Sequence, residues 1–202
     1  MSLRIAALVP VKDPGHGKSR LNSVLGAAER AALNAALAAR TLQVCAEVIG
    51  EVWTYVVTAS DEIAAEALAR RLNVAREAEA GDLNAALTLA GKPAVAAGAD
   101  ALLVVPTDLV LITGASLRSV VAALERSRGC ILVPDRRGTG TNMMGIAPAR
   151  LDLFRFGEQS LRKHEQAARD AGLAVNVLAD PLLALDLDLP EDLELWRSAC
   201  AS

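Results

Sequence analysis

The stretch that decides the fold is "RIAALVPVKDPGHGKSRL", Arg4–Leu21. Its first half is almost continuously apolar, which is typical of a strand buried on both faces of a parallel sheet. Its second half, called here the first loop (Lys12–Leu21), contains two glycines, two lysines and an arginine, a composition suited to binding phosphate. An alanine-rich segment with helical character follows at Gly26–Val48. The stretch therefore predicts a strand, an anion-binding loop and a helix in succession.

The first loop matches neither of the two best-known glycine-rich loops. A Walker A loop needs a glycine five residues before the glycine of its Gly-Lys-Ser end, and Lys12 occupies that position relative to Gly17. The dinucleotide fingerprint G-x-G-x-x-G starts at Gly15 but meets Arg20 where its third glycine is required. The loop is therefore a phosphate binder of another kind.

The rest of the chain continues to alternate short apolar runs with longer helical segments, which predicts an α/β fold. A mostly parallel sheet flanked by helices follows from that pattern, in a single three-layer domain over residues 1–202. Ligands of such sheets bind beyond the carboxyl ends of the strands. Further strands are predicted at Glu51–Thr58, Ala101–Pro106 and Cys130–Asp135, and further helices at Ser60–Leu72 (with Ser60 as N-cap), Gly81–Ala99, Ser116–Ser127 and Gly157–Gly172.

Carboxylates and glycines follow several of these strands. Asp108 comes soon after one strand, and Asp186 and Asp188 lie on a short extended segment, the aspartate run (Leu185–Leu189). Because alternate residues of an extended segment share a face, both of these aspartates are expected to point the same way. The turn "GTGT" (138–141) and a helix start near Gly157 add possible anion sites. Singly, each feature could be a cap or a solvated turn, but together they predict a nucleotide site.

This combination suits nucleotidyl transfer. Lysine and arginine side chains neutralise a triphosphate, while backbone N–H groups in glycine-rich loops cradle it. Carboxylates hold Mg²⁺, which stabilises the charge that develops on the leaving pyrophosphate. An acceptor phosphate brings its own nucleophilic oxygen, so that no side-chain nucleophile is needed.

Composition excludes several other functions. A net charge of −3 and an aromatic content of 2% argue against a nucleic-acid-binding surface. No apolar segment approaches the roughly 20 residues that span a bilayer, and a cytoplasmic location is expected. Cys45, Cys130 and Cys200 are widely spaced, which favours reduced thiols over a disulfide framework or a zinc site.

The motifs resemble those of the guanylyltransferases that make the activated phospho-acid precursor of the deazaflavin coenzyme F-420. These enzymes use 2-phospho-L-lactate, phosphoenolpyruvate or 3-phosphoglycerate, and their fold is that of the nucleotide-diphospho-sugar transferases. The resemblance covers almost the whole chain and is carried by Pro10–Leu21, Val104–Leu109, Pro134–Met144, Phe156–His164 and Leu185–Leu193.

The resemblance implies GTP and a small phospho-acid as substrates and Mg²⁺ as cofactor. It implies that Lys18, Arg20 and Asp108 are catalytic. By the same resemblance, the metal ligands are Asp108 with Asp186 or Asp188. The residues that bind GTP phosphates or the acceptor are then Lys12, Gly17, Lys18, Thr141, Asn142, Gly157 and Ser160.

The chain departs from the family pattern beside the implied acceptor site, with Glu158 and Gln159 where relatives often have proline and glycine. Two further departures are Val110, where relatives usually have proline, and Leu189, where threonine is common. A molybdenum-cofactor nucleotidyltransferase is an alternative, although those relatives have a longer glycine-rich first loop. A catalytically degenerate nucleotide-binding module is another, although three carboxylates without a metal would repel one another and the nucleotide.

Overall fold

The computed structural model describes residues 2–77 and 81–200, which are built around one seven-stranded sheet. The strand order is β3-β2-β1-β4-β6-β5-β7, and only β6 runs antiparallel to its neighbours. The strands are β1 (Ile5–Pro10), β2 (Thr54–Thr58), β3 (Asn73–Arg76), β4 (Ala101–Val104), β5 (Cys130–Pro134), β6 (Thr141–Ile146) and β7 (Val175–Val177).

Helices cover both faces of this sheet. In β1, Ala7 and Val9 belong to one buried apolar cluster, while Ala6 and Leu8 belong to another on the opposite face. The alternation confirms the prediction of a strand buried on both sides. The helices are α1 (Ala27–Val48), α2 (Asp61–Ala69), α3 (Leu83–Ala96), α4 (Gly114–Ser127), α5 (Ser160–Asp170), α6 (Pro181–Ala184) and α7 (Pro190–Cys200), with 3-10 turns at Pro14–His16, Ser19–Leu21 and Glu51–Trp53. Helices α1, α2 and α4 contribute to the first cluster, and α3 and α5 to the second.

The four predicted strands are confirmed, with the second starting at Thr54 instead of Glu51. Three other strands were not predicted. Of these, β6 begins inside the segment that the sequence indicated as a turn. It was not predicted because its first residues, Thr141 and Asn142, are polar and obscure its strand character. The predicted helices are also present, and Ser60 caps α2 by accepting a hydrogen bond from the Ile63 N–H.

The parallel topology brings four loops to one edge of the sheet. The first loop follows β1, Ala59 and Ser60 follow β2, Glu77 follows β3, and the segment that contains Asp108 follows β4. The carboxyl end of β1, at the centre of this edge, is the position where ligands bind in such sheets.

Two of the three cysteines, Cys45 and Cys130, are buried free thiols, as predicted. Burial raises the pKa of each thiol to about 12, so that neither is a reactive thiolate near neutral pH. The side chain of Cys200 lies outside the described part of the structure. None of the described helices combines the length and the apolar character needed to cross a bilayer.

Candidate active site

The first loop is held against α1 by Asn34, whose side-chain amide donates to the Pro14 carbonyl over 2.8 Å. A Cβ atom at Gly17 would lie 2.7 Å from the Asn34 Nδ2 atom, closer than side chains tolerate. Glycine at this position therefore allows the loop to pack directly on the helix. No sequence pattern indicated this role for Asn34, which lies in α1 outside the first loop.

Lys18 connects the first loop to the aspartate run. Its backbone is left-handed, with φ of 58°, a conformation that costs a non-glycine residue about 1 kcal/mol. The ammonium group donates a hydrogen bond to the Leu187 carbonyl, between Asp186 and Asp188. The predicted cation therefore lies beside the segment that carries two of the predicted carboxylates. Arg20 is nearby, with 3.9 Å between its Nη1 atom and an Asp188 oxygen.

Asp108 meets the same run through the backbone. Leu109 and Asp186 form an antiparallel bridge, and the Leu187 N–H donates to the Asp108 carbonyl over 3.0 Å. A separate apolar cluster beneath these segments packs residues of the first loop, α1, the aspartate run and α7 together; its buried members are Leu21, Leu37, Val110, Leu185, Leu187 and Leu193. This packing explains how segments far apart in sequence hold three carboxylates at one place.

The carboxylates of the site are like charges that lie close together, and burial adds to the cost of their charged forms. The pKa of Asp186 is raised to about 6, mainly by burial. The nearby carboxylates of Asp108 and Asp188 add to this effect. Burial also raises the pKa of Asp108, with Asp188 adding to the effect and the Lys18 ammonium opposing it. Asp188 is more exposed, at 49% of its side-chain surface. The site thus has a local excess of negative charge that a cation would relieve.

These donors fit Mg²⁺ in its usual protein environment. Within residues 2–77 and 81–200, no three acidic, histidine or cysteine side chains form a ready-made metal cluster. Mg²⁺, however, commonly takes only one or two carboxylates and completes its octahedron with water and phosphate oxygens. Asp108 and Asp186, on bridged segments and with oxygen-only donors, suit that arrangement.

Thr141, Asn142 and Ser160 are buried and bonded to neighbouring segments. The Asn142 amide donates to the Leu183 carbonyl over 2.9 Å and more weakly to Asp186 over 3.4 Å. The Thr141 N–H donates to the Ser160 hydroxyl over 2.9 Å, so that Ser160 joins α5 to β6 instead of capping its own helix. Asn142 thus orients a predicted metal ligand, a role that sequence alone did not indicate.

Gly157 lies on an exposed turn before α5, with a φ of 122° that favours glycine. The preceding residue, Phe156, is fixed to α3, since its N–H donates to the Asn84 side chain over 2.7 Å and its carbonyl accepts from the same side chain over 3.2 Å. The turn is therefore anchored beside the first residues of α3.

Asp192 is a further site residue that the sequence analysis missed. One oxygen of its buried carboxylate accepts from the N–H groups of Asp188 and Leu189, over 3.2 and 2.8 Å. The other oxygen accepts from the Arg136 guanidinium over 2.9 Å. Asp192 thus fixes the backbone of the aspartate run at the start of α7. The motif "LDLDLPEDL" contained the signal, an acid in the first helical turn after proline.

Two adjoining clefts open beside this group. The first, of about 340 Å³, is lined by Lys12, Gly17, Lys18, Asp108 and Asp188 among others. The second, of about 360 Å³, is lined by Ser60, Glu77 and Ala86 among others, and shares Pro10–Asp13 and Leu83 with the first. Each is within the size range of small-molecule sites. A smaller cleft of about 180 Å³ lies between Asp186, Asp188 and three arginines, Arg20, Arg136 and Arg137.

Guanylyltransferases are among the known proteins that this chain is similar to. The family model described as "Guanylyl transferase CofC like" matches residues 5–196. A phosphoenolpyruvate guanylyltransferase of Rubrobacter xylanophilus is 35% identical over 192 residues, covering 95% of this chain and 92% of the relative. A 2-phospho-L-lactate guanylyltransferase of Methanothermobacter thermautotrophicus is 30% identical over 191 residues, covering 95% and 83%.

Among solved structures, a protein of Desulfovibrio desulfuricans G20 described as a nucleotide-diphospho-sugar transferase has a TM-score of 0.72. The superposition covers 100% of this chain and 90% of that one, at 21% identity, which supports the predicted fold alone. The match of the family model over nearly the whole chain, together with the full-length relatives, shows that this chain belongs to the CofC-like guanylyl transferase family and is a nucleotidyltransferase.

Proposed function

We propose that the chain transfers GMP from GTP to a three-carbon phospho-acid and releases pyrophosphate, with Mg²⁺ as cofactor. The observation that carries this proposal is that Asp108, Asp186 and Asp188 lie close together beside an open cleft, next to the Leu187 carbonyl that binds the Lys18 ammonium. The acceptor class is phosphoenolpyruvate, 2-phospho-L-lactate or 3-phosphoglycerate, in line with the names of the relatives.

In this proposal the triphosphate lies along the first loop. Lys12 and Lys18 line the cleft, and Arg20 borders the carboxylates from the other side. These cations neutralise the phosphates, and N–H groups near Gly17 donate to phosphate oxygens. Binding of GTP would move the Lys18 ammonium from the Leu187 carbonyl to a phosphate oxygen.

Asp108, with Asp186 or Asp188, would hold Mg²⁺ at the end of this cleft. When bound, the ion neutralises charge on the α-phosphate and on the leaving pyrophosphate. Asn142 orients the Asp186 carboxylate, and Asp192 fixes the backbone at Asp188. Loss of such contacts to metal ligands commonly lowers metal affinity or activity 10- to 100-fold.

The reaction needs no side-chain nucleophile. An acceptor phosphate oxygen attacks the α-phosphorus of GTP, a new phosphorus–oxygen bond forms, and the bond to the β-phosphate bridging oxygen breaks. The acceptor would lie between the aspartates and the junction of β6 with α5, near Thr141, Asn142, Gly157 and Ser160. Backbone N–H groups at the start of α5 suit its anionic groups.

The test is pyrophosphate release with Mg²⁺ and GTP, with each of the three phospho-acids offered separately. The proposal predicts release with one of these acids and GTP, and little with ATP or CTP. Binding of GTP without release from any acid would contradict the proposed transfer and favour a degenerate nucleotide-binding module.

A further inference from the structure

If the triphosphate lies in the first cleft, as in the proposed function, the nucleobase would lie in the second. The first cleft is lined by Asp108, Asp188 and both lysines, and would therefore hold the triphosphate. The second cleft shares Pro10–Asp13 with the first and extends away from the aspartates toward the ends of β2 and β3. Its walls include the apolar side chains of Leu83 and Ala86, which suit a flat aromatic ring.

A site that selects guanine must form hydrogen bonds with the edge of the base that distinguishes it from adenine. Guanine presents two donors side by side, N1–H and the 2-amino group, where adenine presents an acceptor at N1. A carboxylate can accept both donors at once, with one oxygen for each. Hypoxanthine keeps N1–H but lacks the amino group, and xanthine carries an oxygen in place of that group.

Among the residues that the structure describes, the carboxylates that line the second cleft are those of Asp13 and Glu77. Asp13 already accepts a hydrogen bond from the Gly15 N–H over 2.7 Å, which shapes the first loop. Glu77 follows β3, and its own N–H donates to the Thr58 carbonyl over 3.1 Å, which fixes its backbone at the sheet edge. Within the described residues, no group donates a hydrogen bond to the Glu77 carboxylate. Glu77 is therefore the better placed of the two to meet a ligand.

The surroundings of Glu77 support a ligand-binding role. Its side chain is half-buried, and this burial raises the pKa of the carboxyl while the charge of Lys12 opposes the effect. A carboxylate beside apolar walls loses hydration unless hydrogen-bond donors replace the water. The N1–H and 2-amino groups of guanine would supply such donors.

We infer that Glu77 is the residue that selects guanine, by accepting hydrogen bonds from N1–H and the 2-amino group of the base. The competing role for Glu77 is electrostatic, as a partner for Lys12. The two roles predict different results, because an electrostatic role acts on every nucleotide alike, whereas base selection depends on the substituent at C2.

The test measures binding of GDP, IDP and XDP by titration calorimetry, for the wild-type chain, Glu77→Gln and the control Glu62→Gln. Glu62 is an exposed residue of α2 and is not among the residues that line either cleft. The wild type should bind GDP at least about 10-fold more tightly than IDP, since one charge-assisted hydrogen bond is lost. Glu77→Gln should lose about 10- to 100-fold in GDP affinity and bind XDP better than GDP, because its amide can donate to the C2 oxygen. Glu62→Gln should match the wild type.

Equal binding of GDP and IDP by the wild type would overturn the inference, and this result needs no variant to fold. A loss of the same factor for all three nucleotides in Glu77→Gln would also overturn it, in favour of the electrostatic role. The readout is binding without an acceptor, so that failure of the proposed transfer reaction would leave this test intact.

Discussion

At the scale of single residues, the carboxylates of the site oppose folding. The pKa of Asp186 is raised from its ordinary 3.8 to about 6, so that the folded state disfavours the charged form. This destabilisation is complete above about pH 6 and disappears as the pH falls toward 4. Retention of such a residue is expected where function requires it.

Asp186→Asn should therefore stabilise the metal-free protein at pH 7.5, by up to about 3 kcal/mol, because it removes a partly buried charge beside Asp108. Urea unfolding in EDTA at pH 7.5 and pH 4.5 measures the effect. The gain should shrink at the lower pH, where the wild-type carboxyl is protonated in the folded state. A loss of stability at pH 7.5 would mean that Asp186 supports the fold.

His164 is held neutral by its contacts. Its Nε2 atom accepts from the Arg155 N–H over 2.8 Å, so that Nδ1 carries the proton and donates to the Thr141 hydroxyl over 2.9 Å. Burial, with a smaller effect of Arg155, lowers the pKa of His164 to about 4. The histidine thus tethers α5 to the first residue of β6, a structural role in keeping with its place on a helix.

His164→Asn should destabilise the protein at pH 7, because hydrogen bonds and packing are lost. The folded state of the wild type excludes the proton that the unfolded histidine takes up below about pH 6.5, at a cost approaching about 3 kcal/mol near pH 4. The gap in unfolding free energy between wild type and variant should therefore narrow from pH 7 to pH 4.5. A gap that is constant or widens would contradict a neutral buried histidine.

The sequence predicted the residues that lie in motifs, but not their partners. Lys18 and Asp108 were predicted because strand ends mark the binding edge. Asn34 and Asp192 were missed because each acts on a segment that tertiary packing brings to it. Asn142 was predicted as an acceptor contact, and the structure also connects it to Asp186.

At the scale of elements, the start of α5 departs from a relaxed helix terminus. Gln159, the residue before the helix, has φ of 55° and forms no side-chain cap. Glycine would adopt this backbone without steric cost. The sequence showed the departure from the pattern but not the conformation that makes it unfavourable.

Gln159→Gly should stabilise the protein by about 0.5 to 1 kcal/mol, because relief of the left-handed strain exceeds the added entropy of the unfolded chain. Thermal unfolding compared with Glu158→Gly, which lacks a left-handed backbone, would measure the effect. An equal loss of stability in both variants would show that the strain is not significant.

The start of α7 is the second element with a testable role. Asp192→Asn should raise the Mg²⁺ concentration that gives half-maximal activity by about 10-fold or more. The reason is that Asp192 fixes the Asp188 backbone and pairs with Arg136. Mg²⁺ titrations of pyrophosphate release provide the measurement.

The matched control is the neighbouring Glu191→Gln, since Glu191 pairs with Arg137 at the exposed surface. That change should alter stability by less than about 1 kcal/mol and leave the Mg²⁺ response unchanged. Identical Mg²⁺ curves for both variants would remove the positioning role of Asp192.

At the scale of the whole molecule, the alternation of strands and helices was enough to predict the fold class and the binding edge. The strand order could not be predicted from this alternation. β6 enters between β4 and β5 by an antiparallel reversal, which strand–helix alternation does not encode, and β3 and β7 are only four and three residues long. The site is nevertheless at the predicted edge, because the loops after β1 and β4 occupy it in either topology.

The central claim is that Asp108 and the aspartate run form the metal site of guanylyl transfer, and Asp108→Asn tests it most directly. Pyrophosphate release from GTP and the active phospho-acid would be measured across Mg²⁺ concentrations, with thermal unfolding of the same sample. Asp170→Asn, an exposed change on α5, is the control. We predict that Asp108→Asn lowers the rate at least about 100-fold at every Mg²⁺ concentration while its melting temperature stays equal or rises. A near-normal rate, or a loss of rate matched by a loss of folded protein, would contradict the claim.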